Sequence, residues 1–188
     1  MKVAKQEIPD VLLIKPDSFE DSRGFFFESY SKKKYQEFGI DEALLQDNVS
    51  FSKRHVLRGL HFQSNNPQGK LVYALQGRVF DVAVDIRRGS PTFKKWVGFE
   101  LSGENKMQLW IPPGFAHGFC VLSESSLFCY KCSNYYDPGS EISLAWNDPS
   151  IGINWPIDNP ILSDKDDNLP SIDQIDHSLL PIYEGNTQ

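Results

Sequence analysis

The run Leu57-Arg58-Gly59-Leu60-His61-Phe62-Gln63 sets an imidazole inside a strand-like segment, between two large apolar residues. Histidine has an unperturbed pKa of roughly 6.5, so it can take and return a proton near neutral pH. A lone histidine in such a place is more often a core residue whose ring nitrogen meets a backbone partner. Tyr130 lies in a second strand-like run, where Phe128, Tyr130 and Cys132 share a face. A phenol with a pKa near 10 stays protonated and can act as an acid, or it can simply fill a core. Lys70 opens the run Gly69-Lys70-Leu71-Val72-Tyr73-Ala74-Leu75-Gln76. Its ammonium could be a fixed charge beside a developing anion, or a solvated strand end.

Metal and redox chemistry find little support. Cys129-Tyr130-Lys131-Cys132 has the C-x-x-C spacing, but on a strand the two sulfurs point to opposite faces. No second Cys/Cys or Cys/His pair completes a zinc site. The third cysteine is Cys120, and three cysteines without a secretory segment read as free thiols. Of the four histidines, only His61 and His117 are candidate ligands; His55 precedes the strand and His177 lies in the tail. A metal site needs three or four converging ligands, so no metal is expected.

The elements that must position these groups are mostly strands. Candidates are residues 24–30, 48–53, 57–63, 69–76, 78–87, 93–101, 107–112, 117–122, 126–133 and 142–147. In 78–87, Phe80, Val82, Val84 and Ile86 form an apolar face, with Asp81, Asp85 and Arg87 on the other. That alternation predicts a half-buried antiparallel strand. Residues 31–39 read as one helix, capped by Ser31 and ended by Gly39, with Lys32-Lys33-Lys34 on a solvated face. A second helical piece is expected around Asp41–Gln46. Many short strands between turns indicate an all-β sandwich or barrel in a single domain spanning 1–188. Within it, 1–47 would form the N-terminal strands and helix, 48–147 the core, and 148–188 a wrapping tail with short helices.

Composition narrows the class. The chain has 188 residues, 40% of them hydrophobic, enough for a sizeable core. Its net charge of −6 argues against non-specific nucleic-acid binding, although a local pocket can still be basic. No apolar run suits a membrane span, and Met1–Asp10 has no apolar signal segment, so a cytoplasmic location is expected.

Trp110-Ile111-Pro112-Pro113-Gly114-Phe115-Ala116-His117-Gly118-Phe119 resembles the second motif of cupin jelly rolls. Together with SFSKRHVLRGLHFQ, VFDVAVDIRRGSPTF, NYYDPGSE and ILSDKD, in that order along the chain, it resembles the dTDP-4-dehydrorhamnose 3,5-epimerase family from about Gly24 to Asp166. The resemblance implies a cupin-like jelly roll that works on a nucleotide-linked 4-keto-6-deoxy sugar without a cofactor. Such chemistry needs a base on one face of the sugar, an acid on the other and a cation beside the C4 oxygen. By the resemblance, His61 is the base, Asp166 its partner, Tyr130 the acid and Lys70 the cation. Arg23, Arg58, His117 and Lys165 match positions near the diphosphate or sugar. Glu28, Gln46 and Asn48 match positions near the nucleoside, Tyr136 matches a ring that stacks on thymine, and Glu141 matches a site position of unassigned role. Homodimers are implied, with N-terminal strands crossing so that Arg23 and Glu28 complete the neighbour's site. Strict alternation turns Arg58 away from His61, so Arg58 must lie in the turn or in a bulge before the strand if both reach one pocket.

Two other classes use the same elements. A metal-dependent cupin would hold stoichiometric metal. A non-catalytic sugar-binding jelly roll would not exchange sugar protons with solvent. Within the resemblance, a relative epimerising only C3 or only C5 needs the same His61 and Tyr130.

Overall fold

The computed structural model describes residues 1–185 of the chain. Its elements in chain order are β1 (Lys2–Lys5), β2 (Leu12–Lys15), β3 (Ser18–Asp21), β4 (Gly24–Phe27), α1 (Lys32–Gln36), β5 (Gln46–Lys53), β6 (Leu57–Gln63), β7 (Lys70–Gln76), β8 (Arg78–Asp85), β9 (Trp96–Ser102), β10 (Gln108–Ile111), β11 (Phe115–Val121), β12 (Ser125–Cys132) and β13 (Glu141–Ser143). A 3-10 turn follows at His177–Leu179.

Two antiparallel sheets face each other. One has six strands in the order β1-β2-β10-β7-β12-β5, and the other five in the order β13-β6-β11-β8-β9. Between them lies a core drawn from both: Val72, Ala74, Leu109 and Phe128 from the first, and Val79, Ala83, Leu101, Phe119 and Val121 from the second. Full burial of each large apolar side chain contributes about 1.5–3 kcal/mol. β3 and β4 form a separate ribbon, whose Phe19, Phe25 and Phe26 are exposed.

The outer face of the five-stranded sheet is covered as well. Leu60 and Phe62 of β6, with Val82, Val84 and Ile86, pack against Leu144, Ile151, Ile172 and Leu180. The C-terminal tail therefore wraps the five-stranded sheet, as composition predicts; its last residues, 186–188, lie outside the described residues. This covering corrects the half-buried reading of 78–87. The side chains of Asp81 and Asp85 point inward and are fully buried, so both faces of β8 are interior. It also explains the neighbours of His61: Leu60 and Phe62 face the tail, and the imidazole between them faces the space between the sheets.

Other expectations change at the edges. The helix is only Lys32–Gln36, and Ser31 makes no side-chain cap. Gly39, at φ +83°, ends the turn. Asp41–Leu45 is not helical: Leu45 donates its backbone N–H to Cys132 at 2.8 Å, and Gln46 already belongs to β5. Pairing with β12 outweighs local helix propensity there. The strand expected at 142–147 is Glu141–Ser143, and the N-terminal strands, expected within 1–47 but placed only at 24–30, also include β1 to β3. No helix among the described residues is long and apolar enough to cross a membrane.

Candidate active site

Register assembles the site. β6 and β11 pair antiparallel with His61 opposite His117, which turns both rings to one face. The next pair in register is Phe119 with Arg58, so β6 spends three residues where β11 spends two. That bulge lies inside β6, not before it as expected, and it restores Arg58 to the face of His61. Gly59 sits inside it at φ +108°. A Cβ there would lie 2.5 Å from the His117 carbonyl oxygen and 2.7 Å from Gly118 Cα, so only glycine allows the approach. On the facing sheet, β12 lies between β5 and β7. Tyr130 is opposite both Asn48 and Val72, and Cys132 is opposite both Gln46 and Lys70.

These side chains enclose a cavity of about 310 Å³. His61, Arg58 and His117 line one wall; Tyr130, Lys70, Gln46 and Asn48 line the other; Tyr136, Glu141 and Asp166 lie in its rim. His61 Nε2 is 2.6 Å from Asp166 Oδ1, and Asp166 Oδ2 accepts from the Ser163 hydroxyl at 2.9 Å. Burial pushes the Asp166 carboxyl up, but the hydrogen bonds and charge of His61 and Ser163 outweigh it and hold the pKa below the usual value. A carboxylate at Nε2 places the ring proton there and leaves Nδ1 to accept a proton. Burial raises the Tyr130 phenol, with Cys132 and Glu141 adding to it against Arg58, so the phenol stays protonated. Burial lowers the Lys70 ammonium, while Cys132, Glu141 and Asp81 oppose that fall.

A second histidine–carboxylate pair underlies the first. His117 Nε2 is 2.8 Å from Asp81 Oδ2, and Asp81 Oδ1 has no hydrogen-bond partner among the described residues. Burial raises the Asp81 carboxyl, with His117 and Lys70 countering. At the rim, Glu141 accepts from Lys165. Burial raises Glu141, but Lys165, His61 and Tyr136 bring its pKa below the ordinary value. Glu141 thus ties Lys165 and Tyr136 to the mouth, a role the sequence did not suggest.

Three expected residues lie outside the cavity lining. Arg23 pairs with Asp21 at 2.6 Å on the β3–β4 ribbon. Glu28 pairs with Lys34 at 2.9 Å. Lys165 reaches the cavity only through Glu141. Sequence reasoning missed Ser50, Gln68 and Phe119 in the lining, and Asp81 behind His117. Ser50 and Phe119 follow by period two from Asn48 and His117. Gln68 lies in a loop and carries no such signal. Among the described residues, no group of three or more His, Cys, Asp or Glu could hold a metal ion.

Two facing antiparallel sheets with an acid–base cavity between them define a cupin-type jelly-roll enzyme. The sequence matches the dTDP-4-dehydrorhamnose 3,5-epimerase family over residues 5–174, and the chain belongs to that family. It is 58% identical over 177 residues to the dTDP-4-dehydrorhamnose 3,5-epimerase of Salmonella typhimurium, covering 93% of this chain and 97% of that one. Its fold superposes at a TM-score of 0.96 and 52% identity on a dTDP-6-deoxy-D-glucose-3,5-epimerase from Legionella pneumophila in complex with dTDP-4-keto-L-rhamnose, over 98% and 99% of the two chains. A 3'-monoepimerase from Streptomyces bikiniensis, in complex with dTDP-quinovose, gives a TM-score of 0.88 at 35% identity, over 95% and 92%.

Proposed function

We propose that this protein epimerises dTDP-4-dehydro-6-deoxy-D-glucose at C3 and C5 to dTDP-4-dehydro-L-rhamnose, in dTDP-L-rhamnose biosynthesis. The observation that carries this reading is one cavity with His61 on one sheet, paired to Asp166 of the tail, and Tyr130 with Lys70 on the facing sheet.

The C4 ketone acidifies the protons at C3 and C5. His61 Nδ1 removes one of them, and Asp166 stabilises the imidazolium that forms. Negative charge moves to O4, where the Lys70 ammonium stabilises it in a site screened from water. Tyr130 then protonates the carbon from the opposite face. The phenolate is reprotonated and His61 gives its proton to solvent before the second carbon reacts. Arg58 and His117 hold the diphosphate, and Tyr136 stacks on the thymine at the mouth. No cofactor is required by this sequence of steps.

We further read the chain as a single domain acting in the cytoplasm as a homodimer. The exposed rings of Phe19, Phe25 and Phe26 support a partner covering the β3–β4 ribbon. Arg23 and Glu28, held away from their own cavity, would then complete the neighbour's.

NMR of the protein with dTDP-4-keto-6-deoxyglucose in D₂O tests the reaction. Deuterium at both C3 and C5 with inversion is expected. Exchange at C3 alone would favour monoepimerisation, the activity named for the Streptomyces bikiniensis relative. No exchange at either carbon would overturn the assignment.

A further inference from the structure

β5 presents a row of polar side chains to the cavity at every second residue. Gln46, Asn48, Ser50 and Ser52 face inward, while Asp47, Val49, Phe51 and Lys53 are exposed. Three members of the row are already engaged. Gln46 donates to Asn48 Oδ1 at 3.0 Å and accepts from the Tyr136 backbone N–H at 2.8 Å. Asn48 donates to Cys132 Sγ at 3.6 Å. Ser52 accepts from Arg58 Nε at 3.0 Å. Ser50 is different: its hydroxyl is buried, lines the cavity and has no hydrogen-bond partner among the described residues.

Buried hydroxyls are nearly always paired, so one on a cavity wall points to a ligand. Its position says which part of the ligand. Ser50 is one pleat repeat, about 7 Å, from Ser52, the residue that anchors Arg58. With Nε occupied by Ser52, the other Arg58 N–H groups have no partner among the described residues and can meet an anion. Ser50 and Arg58 line the same cavity, so the Ser50 hydroxyl can meet the anionic oxygens that the guanidinium binds.

We infer that Ser50 is a further substrate-binding residue, donating a hydrogen bond to a diphosphate oxygen of the nucleotide sugar next to an Arg58 side chain preset by Ser52. This rests on the nucleotide-sugar reading above. It also assigns opposite effects to one side chain: the hydroxyl strengthens binding and gives the free fold nothing.

The test is Ser50→Ala, measured by calorimetric titration with dTDP and with thymidine, and by thermal unfolding. We expect dTDP affinity to fall about tenfold, a charged hydrogen bond's share, with thymidine affinity unchanged. The midpoint of unfolding without ligand should stay equal or rise, because no internal bond is lost. Unchanged dTDP affinity overturns the inference. An equal loss for dTDP and thymidine also overturns it, by moving Ser50 to the nucleoside. A lower unfolding midpoint overturns it too, by showing an internal partner. If wild-type protein binds no dTDP, the nucleotide-sugar reading itself falls, and that result is separate from any comparison of the variant.

Discussion

Tyr130 and His61 lie on facing sheets, so the roles of acid and base proposed for them can be separated experimentally. Tyr130→Phe removes only the phenol oxygen and keeps the ring that packs beside Phe128, at 6.4 Å between centroids. Deprotonation by His61 should continue, and the enolate should often recover its proton from the same side. Exchange with D₂O will then exceed inversion, and their ratio, followed by NMR, should rise above the wild-type value. If exchange and inversion fall together, Tyr130 positions the sugar instead. His61→Ala should abolish both, by more than the roughly 10²–10⁴-fold typical of a general base. Near-normal exchange in folded His61→Ala would return that histidine to the core.

At the scale of elements, the β6 bulge is the feature on which the site depends. Gly59→Ala must displace the His117 carbonyl and adopt an unfavourable φ, so a loss on the order of 3 kcal/mol is expected by urea unfolding. Gly89 provides the comparison. It has φ +83° but nothing within 4 Å of an added Cβ, so Gly89→Ala should cost only about 1 kcal/mol. Equal losses for the two would show that close approach is not what requires glycine at 59. The end of β8 is clamped differently. Asp85 accepts from Arg87, Ser90 and Thr92, while Arg87 also pairs with Asp10 and stacks on Phe115 and Tyr183. Burial pushes the Asp85 carboxyl up, yet these hydrogen bonds hold its pKa below the ordinary value. A depressed folded pKa stabilises above the unfolded value, near 3.9, and that stability is lost as pH falls through the folded value. Asp85→Ala should therefore cost about 3–5 kcal/mol at pH 7, and the gap from wild type should narrow by pH 3. A gap that does not change with pH would show that the charge of Asp85 contributes nothing.

For the whole molecule, the question is what covers the ribbon. Phe26 is 70% exposed and Phe19 67%, on a two-stranded element that pairs with neither main sheet. Phe26→Asp should shift the mass measured by light scattering from dimer to monomer while the β-sheet circular dichroism remains. dTDP affinity should fall with it, since Arg23 and Glu28 would no longer reach a neighbouring cavity. A wild-type protein that is already monomeric at micromolar concentration would end this proposal.

Much of this was legible in the sequence because strands write their periodicity locally. Alternation placed most central strands and put Phe128, Tyr130 and Cys132 on one face, since a pleat turns every second side chain the same way. The order of five motifs supplied the family and, with it, the pairing of His61 with Asp166, 105 positions apart. Tertiary structure decided what no local pattern carries. Whether β8 is half-buried or wholly interior depends on a tail whose Ile172 and Leu180 return from the far end of the chain. Whether Asp41–Leu45 coils into a helix depends on a backbone partner in β12. The side of Arg58 depends on a count of residues against another strand, because one extra residue in a bulge reverses a face that period two would fix. The open hydroxyl of Ser50 is likewise a property of the assembled cavity, since a lack of partners is defined only when every neighbour is in place.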